Sequence, residues 1–165
     1  TSIMAMLDGC SNLRVARKPR LEMKVDKNGV SLNVSQLSDG EKCTMALFGD
    51  LARRLTIANP NLDFPLLGEG VVLIDEIELH MHPSWQRRVL RCLQETFPNI
   101  QFIITTHSPI VLNEVDDSYN LFFMSMENNT AQVMPIKRLD GYDANAILEQ
   151  FMGTNSVNDR TERMI

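Results

Sequence analysis

Two short apolar runs, "VVLID" at residues 71–75 and "QFIITT" at residues 101–106, bracket the amphipathic stretch "PSWQRRVLRCLQETFP". Runs this short and this rich in β-branched side chains suit strands buried on both faces. The stretch between them carries Val89, Leu90, Leu93 and Phe97 at helical spacing. Arg87, Arg88, Arg91 and Glu95 fall on the other side, and Pro83 sits near the first turn. Strand, helix and strand in this order form a βαβ unit, with parallel strands and a right-handed crossover. In open parallel sheets, ligands gather beyond the carboxyl ends of the strands.

That edge is chemically loaded. Asp75 and Glu76 close the first strand, and Thr106 and His107 close the second. Carboxylates there are costly unless something pairs with them. A strand-end Asp can hold the water shell of a magnesium ion, and an adjacent Glu can accept a proton from an attacking water. The next segment, "IELHMHP", adds Glu78, His80 and His82. If it were extended, His80 and His82 would share one face, and Glu78 or His107 would complete the shell of a metal-dependent hydrolase or nuclease subunit. Pro83 and the expected helix start argue instead for a turn, with the histidines orienting a loop at a dimer seam.

Upstream, "LSDGEKCTMALFGDLARRLTIANP" places Ser38 and Glu41 in the spacing of a capping box, so a helix begins at Ser38. Cys43, Leu47, Leu51, Leu55 and Ala58 form its expected inner stripe, and Pro60 stops it. Ser38 and Gly40 at such a start expose backbone N–H groups at the positive end of the helix dipole, a ready anion site. Asn28-Gly29 and Asn128-Asn129 each stand between alternating segments and predict two hairpins. "NLDFPLLGEG" reads as a loop, "SPIVLNEV" as a helix start, and "DANAILEQFMG" as a short amphipathic helix before a polar tail.

Length and composition narrow the class. A chain of 165 residues, 44% apolar and 22% charged, can bury one core and is not of disordered composition. A net charge of −5 supplies no global pull toward nucleic acid or anionic membrane. Arg14, Arg17, Lys18 and Arg20 concentrate positive charge locally, to be read as a solvated loop or as a phosphate-contacting patch. Cys10, Cys43 and Cys92 form no C-x-x-C pair and read as reduced thiols of a cytoplasmic protein. No apolar run approaches the roughly 18 residues that span a bilayer, so no membrane partner is expected. The opening "TSIMAML" looks like the end of a helix entered midway, which suggests a piece of a longer protein.

Taken in register, these segments resemble the motifs of ABC-type ATPase heads. "LSDGE" is similar to the signature usually written LSGGE, with Asp39 replacing a glycine, and "VVLIDE" to the Walker B strand. "IELHMHP" is similar to the D-loop and "TTHSP" to the switch-histidine segment. The style is that of SMC- and RecF-like heads of DNA-repair and OLD-type proteins. Within that group the chain resembles ATP-binding proteins of bacterial anti-phage defence, including Septu- and retron-associated ATPases. The resemblance covers about residues 20 to 125.

It implies an α/β fold: the C-terminal lobe of a P-loop NTPase head, a mostly parallel sheet with flanking helices and peripheral β-hairpins. That lobe would fill residues 1–165, with the signature at 37–41, Walker B at 71–76, the D-loop at 77–83 and the switch at His107. The implied cofactors are ATP and magnesium. Asp75 would orient the metal through water, Glu76 would be the general base and His107 would contact the γ-phosphate. Ser38, Asp39, Gly40 and Glu41 would close over the nucleotide of a second subunit, and His82 would join the nucleotide site. The implied partner is a second copy across sandwiched nucleotides, with a companion nuclease or DNA left open.

Two departures stand out. Ile77 occupies the place where the family usually has Pro, and no G-x-x-x-x-G-K-[ST] occurs anywhere in the chain. This piece is therefore expected to carry half of each composite site and not to hydrolyse ATP unaided. A nuclease reading could draw on Glu127, Asp140, Asp143 and Glu149, although no D-x-D accompanies them. A docking reading could draw on "DANAILEQFMG" with Met124, Met126, Met134 and Met152.

Overall fold

The computed structural model describes residues 7, 9–18, 20–127 and 129–136. The chain divides into two compact units, Thr1–Thr105 and Thr106–Ile165.

In the first unit, β1 (Cys10–Ala16), β2 (Glu22–Lys27) and β3 (Val30–Asn33) form an antiparallel sheet in that order. Asn28 and Gly29 join β2 to β3 with φ of 51° and 81°. Positive φ at both central residues matches the strand twist, which is why that dipeptide predicted the hairpin. Strand β1 was not anticipated. Arg14 lies within it, not in a solvated loop, and its guanidinium meets Asp26 Oδ1 at 2.9 Å and Ser31 Oγ at 2.7 Å. Asn12, at φ 53° in a bulge of the same strand, donates to Asp26 Oδ2 at 2.8 Å. Asn12 first, and then Arg14, hold the Asp26 carboxyl below its ordinary range.

Helix α1 (Asp39–Ala58) starts at the expected cap and ends where Asn59 N–H donates to Leu55 O, just before Pro60. Its buried side is Glu41, Thr44, Met45, Phe48, Leu51 and Leu55. Cys43 and Ala58 are exposed and Leu47 is only half-buried, so the inner stripe sits about one residue away from the expected one. Phe48 decides this. It has more surface to bury than Cys43 or Ala58, and it lies 6.0 Å, centroid to centroid, from Phe97.

Strands β4 (Gly70–Ile74) and β5 (Ile100–Ile104) pair in parallel with Ile74 opposite Ile104, and α2 (Pro83–Thr96) connects them. Val89, Leu90, Leu93 and Phe97 are all buried as expected. The expectation that both strand faces are buried does not hold for these residues. Leu73 is 75% exposed, Val71 57% and Ile103 51%, so alternate positions leave one face of the pair bare. This is the one parallel pair among the described residues; the other strand pairs are antiparallel.

The second unit opens with α3 (Pro109–Leu112), capped by Ser108 Oγ, which accepts from Ile110 and Val111 N–H. Strands β6 (Leu121–Glu127) and β7 (Thr130–Ile136) form the second hairpin, with Asn129 at φ 60° in its turn. The "DANAILEQFMG" segment, and with it Asp140, Asp143, Glu149 and Met152, lies outside the described residues.

Candidate functional site

Asp75 and Glu76 follow directly on β4, and both are exposed. The next strand over supplies what holds them. Thr105 N–H donates to Ile74 O at 2.9 Å, continuing the ladder one step past Ile104. The Thr105 hydroxyl then donates to Asp75 Oδ1 and accepts from Glu76 N–H, the latter at 2.9 Å. Thr105 O accepts from Ile77 N–H at 3.2 Å. One residue therefore grips four consecutive residues of the neighbouring segment. Glu76 sits there at φ 48°, a left-handed conformation that side chains other than glycine adopt at a cost.

At this strand end the sequence points to Thr106 and His107 and not to Thr105. The available signal was slight: a hydroxyl in place of an apolar residue, opposite the Asp by parallel register. His107 belongs to the second unit, two residues before the Pro109 that opens α3, and Thr106 Oγ1 accepts from Ser108 N–H at 3.0 Å.

The segment after Glu76 is a turn, as Pro83 suggested, with His80 at φ 61°. Ile77 is 3% exposed and Met81 8%, so the turn is pinned at both ends by apolar side chains. A proline at position 77 could not make the N–H bond to Thr105, so the departure from the family pattern adds an anchor. His82 caps α2: its Nδ1 lies 2.8 Å from Ser84 Oγ and accepts from Ser84 N–H at 3.3 Å. The extended His80-x-His82 arrangement needed by the metal-hydrolase reading is not what forms. Among the described residues no three His, Cys, Asp or Glu side chains gather as a metal would require.

The start of α1 is built around a buried carboxylate. Glu41 Oε2 accepts from Ser38 N–H at 3.0 Å and from the Ser38 hydroxyl at 2.8 Å, and Glu41 N–H returns to Ser38 Oγ at 3.4 Å. Its other oxygen meets Lys27 Nζ at 2.7 Å, from the end of β2. Burial alone would push this carboxyl up. The Lys27 ammonium first, then the Ser38 hydroxyl and amide, outweigh burial and hold it below its ordinary value. Asp39 is exposed, and its charge is answered by Lys42 Nζ at 3.2 Å. Gly40 lies close to the turn after β4: a Cβ there would come within 2.5 Å of His80 O and 2.8 Å of the Trp85 ring. The helix start and that turn thus form one packed assembly within the first unit.

The family model described as "AAA domain, putative AbiEii toxin, Type IV TA system" matches residues 11–113. The chain belongs to this AAA family. It is 54% identical over 123 residues to the retron Ec83 probable ATPase of Escherichia coli, covering 74% of this chain and 22% of that protein. Identity is 51% over 114 residues to the retron Vc95 probable ATPase of Vibrio cholerae serotype O1 biovar El Tor, covering 69% of this chain and 22% of that one. The Septu protein PtuA of Bacillus mycoides (strain KBAB4) is 36% identical over 100 residues, 61% of this chain and 14% of its own length. The chain thus spans about a fifth of the length of the two retron relatives.

The fold is that of an SMC-type ATPase head. An SMC ATPase structure from work on ATP-driven dimerization and DNA-stimulated activation superposes with a TM-score of 0.59 at 20% identity, covering 82% of this chain and 79% of that one. The SMC head domain from Thermotoga maritima gives 0.58 at 25% identity, covering 83% and 45%. Among the described residues no helix is long and apolar enough to cross a membrane.

Proposed function

We propose that this chain is the C-terminal lobe of an ATP-hydrolysing head that works as a nucleotide-sandwiched dimer in bacterial anti-phage defence, in the cytoplasm and with a companion nuclease as its effector. The observation that carries this reading is the pairing of β4 with β5, which sets Asp75 and Glu76 beyond the strand ends under the grip of Thr105. Membership of the AAA family and the retron and Septu relatives support it.

In this reading Glu76 takes a proton from water as the water oxygen bonds the γ-phosphorus and the bond to ADP breaks. His107 contacts the γ-phosphate. Asp75 is a hard oxygen donor suited to magnesium, with Oδ1 already held by Thr105 and Oδ2 left to reach a metal-bound water. When bound, the ion neutralises charge on the β- and γ-phosphates. Ser38, Gly40 and the adjoining amides of α1 close over the nucleotide of the opposite subunit, with Asp39, Glu41 and His82 shaping that surface. The phosphate cradle and its lysine come from a segment other than residues 1–165, and that segment would also cover the apolar face of Val71, Leu73 and Ile103.

Glu76→Gln in the full-length protein tests this reading. Turnover should fall by roughly 10²–10⁴-fold, the range for loss of a positioned base, while ATP binding persists. The chain of residues 1–165 alone should show none. Undiminished hydrolysis by Glu76→Gln would remove the assignment.

A further inference from the structure

Thr105 makes four hydrogen bonds to four successive residues, Ile74 O, Asp75 Oδ1, Glu76 N and Ile77 N. Two of them use its hydroxyl, and these fall on the two residues to which the proposed chemistry assigns the metal and the base. A valine at this position would keep the shape and both backbone bonds, so the two hydroxyl bonds can be removed separately from the strand pairing. Its bond to Asp75 fixes which carboxylate oxygen remains available. Its bond to Glu76 N–H supports a φ of 48° that carries the glutamate away from the line of the strand.

We infer that Thr105 is a positioning residue for the reaction: its hydroxyl sets the rotamer of Asp75 toward metal and the backbone of Glu76 toward the attacking water. The inference rests on the ATPase reading. It concerns a residue of the "TTHSP" segment to which the resemblance assigns no role.

The test is made in full-length protein with four forms: wild type, Thr105→Val, Thr105→Ala and Thr105→Ser. Thr105→Val should lose about 10- to 100-fold in kcat, with KM for ATP changed by less than about threefold, because the lost bonds orient groups and do not bind nucleotide. A second readout does not depend on turnover. In the Glu76→Gln background with ATP bound, Mn2+ affinity followed by its electron paramagnetic resonance signal should weaken about 10-fold on adding Thr105→Val, as expected when a group orienting a metal ligand is lost. Thr105→Ala carries the same expectations should valine not fold. Thr105→Ser should restore both readouts, since it keeps the hydroxyl and loses only the methyl.

Wild-type kcat and Mn2+ affinity in Thr105→Val or Thr105→Ala would overturn the inference and leave the ATPase reading intact. So would a Thr105→Ser variant as impaired as valine, which would assign the effect to methyl packing. Absence of ATP turnover in wild type would instead remove the ATPase reading itself, and this inference with it.

Discussion

Gly40 lies so close to the carbonyl oxygen of His80 that a Cβ on it would come within 2.5 Å of that oxygen, and within 2.8 Å of the Trp85 ring. A glycine at a helix start beside a phosphate is usually explained by the approach of the ligand. Here the demand arises within the chain itself, because α1 must start against the turn that follows β4. A carbonyl in a packed turn cannot yield as a flexible side chain would.

Gly40→Ala should therefore destabilise the fold even without nucleotide. The expected loss is about 1–3 kcal/mol, the usual cost of overpacking, read from chemical denaturation with the slope unchanged. Stability equal to wild type would show that the turn moves freely away.

Glu76 combines a proposed catalytic role with a left-handed backbone. Glu76→Gly should stabilise by about 0.5–1 kcal/mol, because glycine relieves the strain at φ 48° but adds freedom to the unfolded chain. The same change should lower hydrolysis in the full-length protein by roughly 10²–10⁴-fold, as for Glu76→Gln. A gain in stability with loss of activity is the signature of strain held at a working residue.

The Lys27–Glu41 pair predicts how stability depends on pH. Glu41 is held below its ordinary value of 4.5, so its contribution is present above that value and lost as pH falls through the folded one. Its Glu41 partner first raises Lys27 above its ordinary 10.5, so the Lys27 contribution is present below that value and lost as pH rises through the folded one. Lys27→Met should remove the alkaline limb and begin the acid loss at higher pH, since burial of Glu41 is then no longer offset. The cost near neutrality should be about 1–2 kcal/mol, less than for a fully buried pair because Lys27 is partly solvated. A stability profile that superposes on wild type would refute the pairing.

Thr44 is fully buried in α1, and its Oγ1 has no hydrogen-bond partner among the described residues. Thr44→Val should raise stability by about 1 kcal/mol, because it replaces an unsatisfied hydroxyl with a methyl of the same shape. Thermal unfolding at fixed pH checks this, and a fall in Tm would reveal a hidden partner.

The amino-acid sequence by itself determined every feature whose cause lies within one element. Ser38 and Glu41 stand three apart and cap their own helix; Asn28-Gly29 turns its own hairpin; Val89, Leu90 and Leu93 share one side of a single helix because its period is 3.6 residues. The parallel pairing of β4 with β5 was legible for the same reason, since the strand–helix–strand order permits little else. Tertiary structure alone decided what depends on segments distant in the chain. It added β1 to the sheet through Asp26, turned α1 toward Phe97, set Lys27 against Glu41 and Gly40 against His80, and put Thr105 on Asp75 and Glu76. Contacts of this kind leave no periodic trace. They arise from close packing and from polar groups on distant segments meeting one another, and neither can be assigned until the elements are in place.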